Sequence, residues 1–247
     1  MRRPLSLPLC LVLAGLAVPL NAVRQPLRAK HGMVVAMEST AADVGVSVLE
    51  KGGNAVDAAV AVGFALTVTH PFAGALGGGG YMLIRMADGR TTFIDFRERA
   101  PEQASRNMYL DAAGAMTKDS TEGWRSSGVP GTVRGFEIAV NKYGKKKWAE
   151  NMAPAVELAS KGFPVSYSLA EGLKGSRSLA RSPDSKRIFQ RSGSFYDMGE
   201  KLVQPELAQT LERISKNGAN EFYQGETARR FANEMTKNGG LISLSDL

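Results

Sequence analysis

The 247 residues hold 31 Lys or Arg against 24 Asp or Glu, a formal charge of +7, with 43% hydrophobic and 22% charged residues. That balance excludes a disordered tail, and 27 Gly without a triplet repeat exclude a collagen-like fibre. One Cys and two His leave no disulfide framework and no clustered zinc ligands, and a Ser-His-Asp enzyme would have only His31 or His70 as its base.

Residues 1–22 read as a secretory signal peptide: Arg2 and Arg3 precede an apolar run from Leu5 to Leu20, and Ala22 offers a small residue for cleavage. The run is short for a membrane span, its prolines argue against a buried helix, and Leu9 before Cys10 is too bulky for a lipoprotein site. Residues 23–247 are then a cysteine-free exported region, periplasmic or secreted, with no stable membrane anchor. Its basic excess is thinly spread. Lys145-Lys146-Lys147 is the one tight cluster and reads as the solvated start of a helix, without the interleaved aromatics of a nucleic-acid surface.

Met33 to Glu38 suits a short buried strand. Thr40 and Asp43 have the spacing of a capping box, opening a helix with Ala41, Val44, Val48 and Leu49 on one stripe and Gly52-Gly53 as its stop. Asn54 and Asp57 repeat the spacing before a second helix, Ala55 to Val68, which is apolar all round and so belongs in the core. His70-Pro71 ends it, and glycines at 74 and 77–80 follow. Tyr81 to Met86 and Thr91 to Phe96 read as a hairpin turned by Asp88-Gly89. Helical spacing or caps then mark Thr132 to Tyr143, Ala149 to Lys161, Ser168 to Ala180, Pro205 to Lys216 and Glu226 to Lys237, with Ser182 to Tyr196 a polar excursion. No repeat or linker divides the chain, and Ser243 to Leu247 reads as the opening turn of a further helix.

Two features bear on chemistry. The glycine run lies after a helix and before a strand, the reverse of the order nucleotide fingerprints need, so it reads as a place of close backbone approach. Arg97, at the end of the second hairpin strand, offers a planar fork able to grip a carboxylate. Spacing alone favours the other reading, a local ion pair with Asp95.

A set of ordered segments resembles the large-subunit portion of bacterial γ-glutamyltranspeptidases, members of the N-terminal-nucleophile hydrolases. It comprises Gly52-Gly53-Asn54-Ala55-Val56-Asp57-Ala58-Ala59, Thr69-His70-Pro71, Gly77 to Gly80, Asp95-Phe96-Arg97-Glu98 with Ala100-Pro101, Gly128 to Gly135, Glu221 to Gly225, and Gly239-Gly240-Leu241-Ile242. The resemblance implies an α/β (α+β) fold, a four-layer αββα sandwich of which residues 23–247 supply the large-subunit part. It implies transfer of the γ-glutamyl group of glutathione or a related amide to water or an amino acid, without metal or cofactor. It assigns Arg97 to the α-carboxylate of that group. The nucleophile it implies is the leading threonine of a small subunit cut from the same precursor, with its own α-amine as base. No threonine of this sequence matches it, so no catalytic residue is expected here, the threonine is placed beyond Leu247, and the 247 residues alone are expected to be inactive. The alternatives are a β-lactam acylase acting on glutaryl-type side chains and a non-catalytic exported γ-glutamyl-binding protein.

Overall fold

The second helix foreseen in the sequence is the axis of the molecule. In the computed structural model, which describes residues 28–73 and 75–247, α1 (Ser39–Glu50) lies against α2 (Ala55–Thr69). Both belong to a compact unit, Val34–Leu247, that contains every element named below. The proposed signal peptide lies outside the described residues.

Helix α2 begins as its sequence dictates. The Asn54 side chain accepts from the N–H groups of Val56 and Asp57, at 3.0 Å each, and the Asp57 carboxylate accepts from the Asn54 N–H at 2.9 Å. Its far end is fastened by a buried side chain, because Gln204 Nε2 donates to the Val68 carbonyl at 2.8 Å. Phe64, fully buried, meets Phe136 and Trp148 edge-to-face with ring centroids 5.1 and 5.3 Å apart. Close packing requires small residues here: a Cβ on Gly63 would lie 2.3 Å from the Phe136 ring.

The start of α1 differs from the sequence expectation. Thr40 caps nothing. The helix opens at Ser39 with Glu38 as its N-cap residue, and no side chain closes the cap. Packing of Ala41, Gly45 and Val48 against α2 sets the start instead; a Cβ at Gly45 would come within 2.7 Å of Val62. The segment before it forms no strand and bends at Met37 and Glu38. It alternates, with Glu38 buried and Val35 and Met37 exposed.

Strands β1 (Tyr81–Arg85) and β2 (Thr91–Asp95) form the hairpin, antiparallel with Leu83 opposite Phe93. Gly89, at φ 87°, makes the turn. Ile84 and Ile94 face the core, while Tyr81, Leu83 and Phe93 remain exposed on the other face. The ladder continues one step beyond the strands, as Gly80 and Phe96 exchange N–H to carbonyl bonds at 3.0 and 3.2 Å. That step fixes where Arg97 begins.

The rest is helical. Helix α3 (Thr132–Tyr143) has the expected bounds, α4 (Trp148–Lys161) starts one residue early, and Trp148 Nε1 donates to the Ile214 carbonyl at 2.9 Å. Strand β3 (Phe163–Pro164) precedes α5 (Tyr167–Gly175), which stops short of the expected Ala180 because the chain breaks into a separate turn of 3-10 helix at Leu179–Arg181. The polar excursion holds unforeseen structure: α6 (Pro183–Phe189), then β4 (Gln190–Arg191) paired with β5 (Ser194–Phe195). Strand β6 (Lys201–Leu202) pairs with β3, and α7 (Pro205–Asn217), the short α8 (Asn220–Tyr223) and α9 (Glu226–Lys237) complete the order. Among the described residues no helix is long and apolar enough to cross a membrane.

Candidate functional site

Arg97 is presented by a strand end clasped between glycine backbones. A Cβ on Gly79 would lie 2.5 Å from the Phe96 carbonyl oxygen and 2.7 Å from the Glu98 nitrogen, and one on Gly131 would lie 2.1 Å from the same carbonyl. Gly135 accommodates the Phe96 ring, which would stand 2.3 Å from its Cβ. Gly78 joins the clasp: its carbonyl accepts from the N–H groups of Gly131 and Thr132, at 2.9 and 3.1 Å. Gly78 and Gly79 thus serve close backbone approach, as their position in the sequence suggests, while a Cβ on Gly80 would meet only the Phe96 ring and one on Gly77 would meet nothing within 4 Å.

The local ion pair open to Arg97 takes a different form from the one expected. Asp95 accepts from the Arg97 backbone N–H at 3.0 Å, while the guanidinium pairs with Glu98 at 2.9 Å. The reason is geometric: the backbone bond ties down the Asp95 carboxylate, and Glu98 closes over the Gly78-Gly79 backbone within reach of Nη1. The Arg97 side chain stays 55% exposed, against 27% for Glu98. It borders a cavity of about 320 Å³ whose other walls include Asp95, Arg99, Arg134, Tyr223 and Asp246.

Arg134, Tyr223 and Asp246 arrive from distant parts of the chain. Arg134, in the first turn of α3, bonds to Glu137 and to Asn220 and lies 4.9 Å from the centroid of the Tyr223 ring. The Tyr223 hydroxyl accepts from the Arg134 N–H at 3.1 Å, and burial pushes its pKa up. Asp246 accepts from Glu102 N–H at 2.7 Å and from the Ser243 N–H and hydroxyl at 2.8 and 2.7 Å. Burial alone would raise its pKa, but these donors and the charge of Arg99 outweigh it, so the carboxyl titrates below its usual range. Ser243 donates both bonds to the one carboxylate, and residues 244–246 form a turn where the sequence suggests the opening of a further helix. Asp246 could not be placed in the cavity from sequence, since no local spacing links it to Arg97, whereas Arg99 follows Arg97 at the two-residue spacing of an extended chain.

Among the described residues, no group of three or more His, Cys, Asp or Glu is arranged to hold a metal ion. His70 stands apart from this cavity, with Nδ1 3.6 Å from Glu38. The Lys145–Lys147 segment is more than a solvated helix start. Its Lys145 and Lys146 N–H groups donate to the fully buried Asp57 carboxylate at 3.0 and 3.1 Å, and Asn151 Nδ2 adds a bond at 3.2 Å.

With helices laid on a hairpin whose glycine-clasped end presents an arginine to a cavity, the architecture is the α+β fold of the N-terminal-nucleophile hydrolases. It matches the crystal structure of Helicobacter pylori gamma-glutamyltranspeptidase with a TM-score of 0.86 at 44% identity, covering 90% of this chain and 64% of that one. A cephalosporin acylase from Bacillus halodurans matches at a TM-score of 0.79 and 27% identity, over 94% of this chain and 44% of that one. The family model described as Gamma-glutamyltranspeptidase matches residues 41–247, and the chain belongs to that family. It is 52% identical over 228 residues to the glutathione hydrolase proenzyme of Escherichia coli (strain K12), covering 91% of this chain and 39% of that protein. With the corresponding proenzyme of Bacillus subtilis (strain 168) it shares 38% identity over 223 residues, covering 88% of this chain and 38% of that protein. The chain therefore spans about two fifths of the length of these curated relatives.

Proposed function

We propose that this chain is the large-subunit region of a γ-glutamyl-transferring hydrolase, exported after loss of residues 1–22. Its donor is glutathione or another γ-glutamyl compound, and its acceptor is water, an amino acid or a peptide. Arg97 holds the donor's α-carboxylate by charge-assisted hydrogen bonds, its planar fork matching the two oxygens. The nucleophile is a threonine in the portion of the family's proteins that lies beyond this match, freed by self-cleavage of the shared precursor. The observation that carries the reading is the placement of Arg97. Its backbone is locked by glycine contacts that no other residue type would fit, while its guanidinium remains open to the cavity.

The electrostatics support a binding role over a purely structural one. A half-exposed arginine paired with one carboxylate can exchange or share that partner with an incoming anion at little desolvation cost. The bound γ-glutamyl group would then lie along the cavity with its amide toward the nucleophile. Acyl transfer conserves the linkage: the threonine oxygen takes the γ-carbonyl, the amine departs with a proton, and water or an acceptor amine later releases the glutamyl group.

The test uses the full precursor, produced with its downstream sequence. Release of p-nitroaniline from γ-glutamyl p-nitroanilide, together with self-cleavage into two subunits, is expected, whereas residues 23–247 alone release none. Turnover of glutaryl β-lactams in preference to γ-glutamyl donors would favour the acylase reading. Binding of a γ-glutamyl compound without turnover by the full precursor would favour a binding protein.

A further inference from the structure

Three arginines, Arg97, Arg99 and Arg134, border the cavity together with Asp95 and Asp246. Arg134 lines it but is committed, paired with Glu137, bonded to Asn220 and lying over Tyr223. Arg97 itself pairs with Glu98. Arg99 is different: among the described residues it enters no ion pair. The acid it influences is Asp246, whose oxygens are already engaged by Glu102 and Ser243.

The Arg99 backbone is nevertheless held firmly, exchanging bonds with Val129 at 3.2 and 2.8 Å. Residues two apart on an extended chain share one side and stand about 6.6–6.8 Å apart. Arg97 and Arg99 accordingly border the same cavity, with Glu98 turned the other way toward Gly78 and Gly79. A ligand that satisfies both cations needs two anionic groups separated by two or three residues of extended backbone, roughly 7–10 Å. A γ-glutamyl dipeptide or tripeptide with a free C-terminus has this form, whereas a γ-glutamyl amide of a neutral amine has only one carboxylate.

We infer that Arg99 is a specificity-determining residue that receives the C-terminal carboxylate of a γ-glutamyl peptide whose α-carboxylate rests on Arg97. The inference rests on the γ-glutamyl reading of the site and ranks peptides with a free terminal carboxylate above neutral amides among its donors. The contact lies on the leaving-group side of the scissile amide, so it is lost once the acyl-enzyme forms. It therefore governs donor choice and leaves hydrolysis of the acyl-enzyme alone.

The experiment compares Arg99→Ala, Arg99→Lys and the parent in the full, self-cleaved protein. The donors are γ-glutamylglycine and glutathione, each also as its C-terminal carboxamide, with γ-glutamyl p-nitroanilide as reference. Arg99→Ala should lower the carboxylate-to-carboxamide ratio of kcat/KM about tenfold, the scale of one charge-assisted contact at an exposed site, with the change in KM. Arg99→Lys should recover part of that ratio. Added salt should erode the preference in the parent and leave the alanine variant flat. An equal loss on acid and amide donors, or an unchanged ratio, would overturn the assignment. A parent that releases glutamate from none of the donors would overturn the γ-glutamyl reading itself, and this inference with it.

Discussion

Two charged groups organise two regions of this protein in opposite ways. Asp57, at the head of α2, has no exposed surface, and its carboxylate accepts from Asn54, Lys145, Lys146 and Asn151. Arg97, at the end of β2, has one carboxylate partner and leaves more than half its side chain open. Burial opposes ionisation of Asp57, yet the converging N–H donors more than compensate and hold its pKa below the usual carboxylate value. The closed charge joins three segments of the fold; the open one is the charge we propose receives a ligand. What separates them is the number of partners already satisfied within the chain.

The sharpest way to break the comparison is to remove the closed charge. Asp57→Ala leaves several buried donors unpaired and should cost about 3 kcal/mol or more, at about 1–3 kcal/mol for each unsatisfied group. Thermal melting of the full precursor should show it, with loss of self-cleaved product. Arg97→Ala should spare folding. It should weaken γ-glutamyl binding by about 2–3 kcal/mol, the range for hydrogen bonds to a charged group, and raise KM. Unchanged KM for the anilide donor would leave Arg97 as only the partner of Glu98.

Between these lies the clasp. Gly131→Ala should cost about 1–3 kcal/mol through overpacking against the Phe96 carbonyl, and should also raise KM because Arg97 moves with Phe96. A variant that loses stability with KM intact would uncouple clasp from site. Acid sharpens the contrast further. The folded pKa values of Asp57 and Asp246 are lowered, so their stabilisation is complete above the unfolded carboxylate pKa near 3.9 and is lost as pH falls through the folded values. Asp57→Asn should flatten the acid limb of a pH–melting curve below about pH 4 and leave the neutral region flat. The smallest effect belongs to an exposed pair: Lys174→Ala removes a bond to Asp197 at the surface and should leave melting unchanged within error.

Local signals in the sequence were read correctly where the structure uses local bonds. The Asn54–Asp57 box, the Asp88-Gly89 turn and the bounds of α3 and α9 all depend on neighbours within four residues. Thr40 misled because its spacing is that of a cap, while packing of Gly45 on Val62 sets where α1 begins. The two-residue strands at Phe163–Pro164 and Lys201–Leu202 carry too few side chains for any period to appear. At the site, Arg97 was visible as a strand-end arginine, but its role came from resemblance. Its exchange of Asp95 for Glu98 depends on which carboxylate the backbone had already engaged. The Asp57 cage was invisible for a similar reason, since its donors stand 88 and 89 positions away.

The fastening of α2 at both ends bears on the order in which the protein is made. The Asn54 amide donates to the Tyr143 carbonyl, 89 positions later, and the Val68 carbonyl waits for Gln204, 136 positions later. At about 5–20 residues per second, the ribosome needs roughly 7–27 seconds between finishing this helix and delivering the side chain that closes it. Throughout that interval a fifteen-residue helix apolar on every side has no completed shelter. A nascent chain made without residues 1–22, so that it stays at the ribosome, and stalled before Gln204 should therefore be held by chaperones or digested by protease, and one stalled well beyond it should resist both.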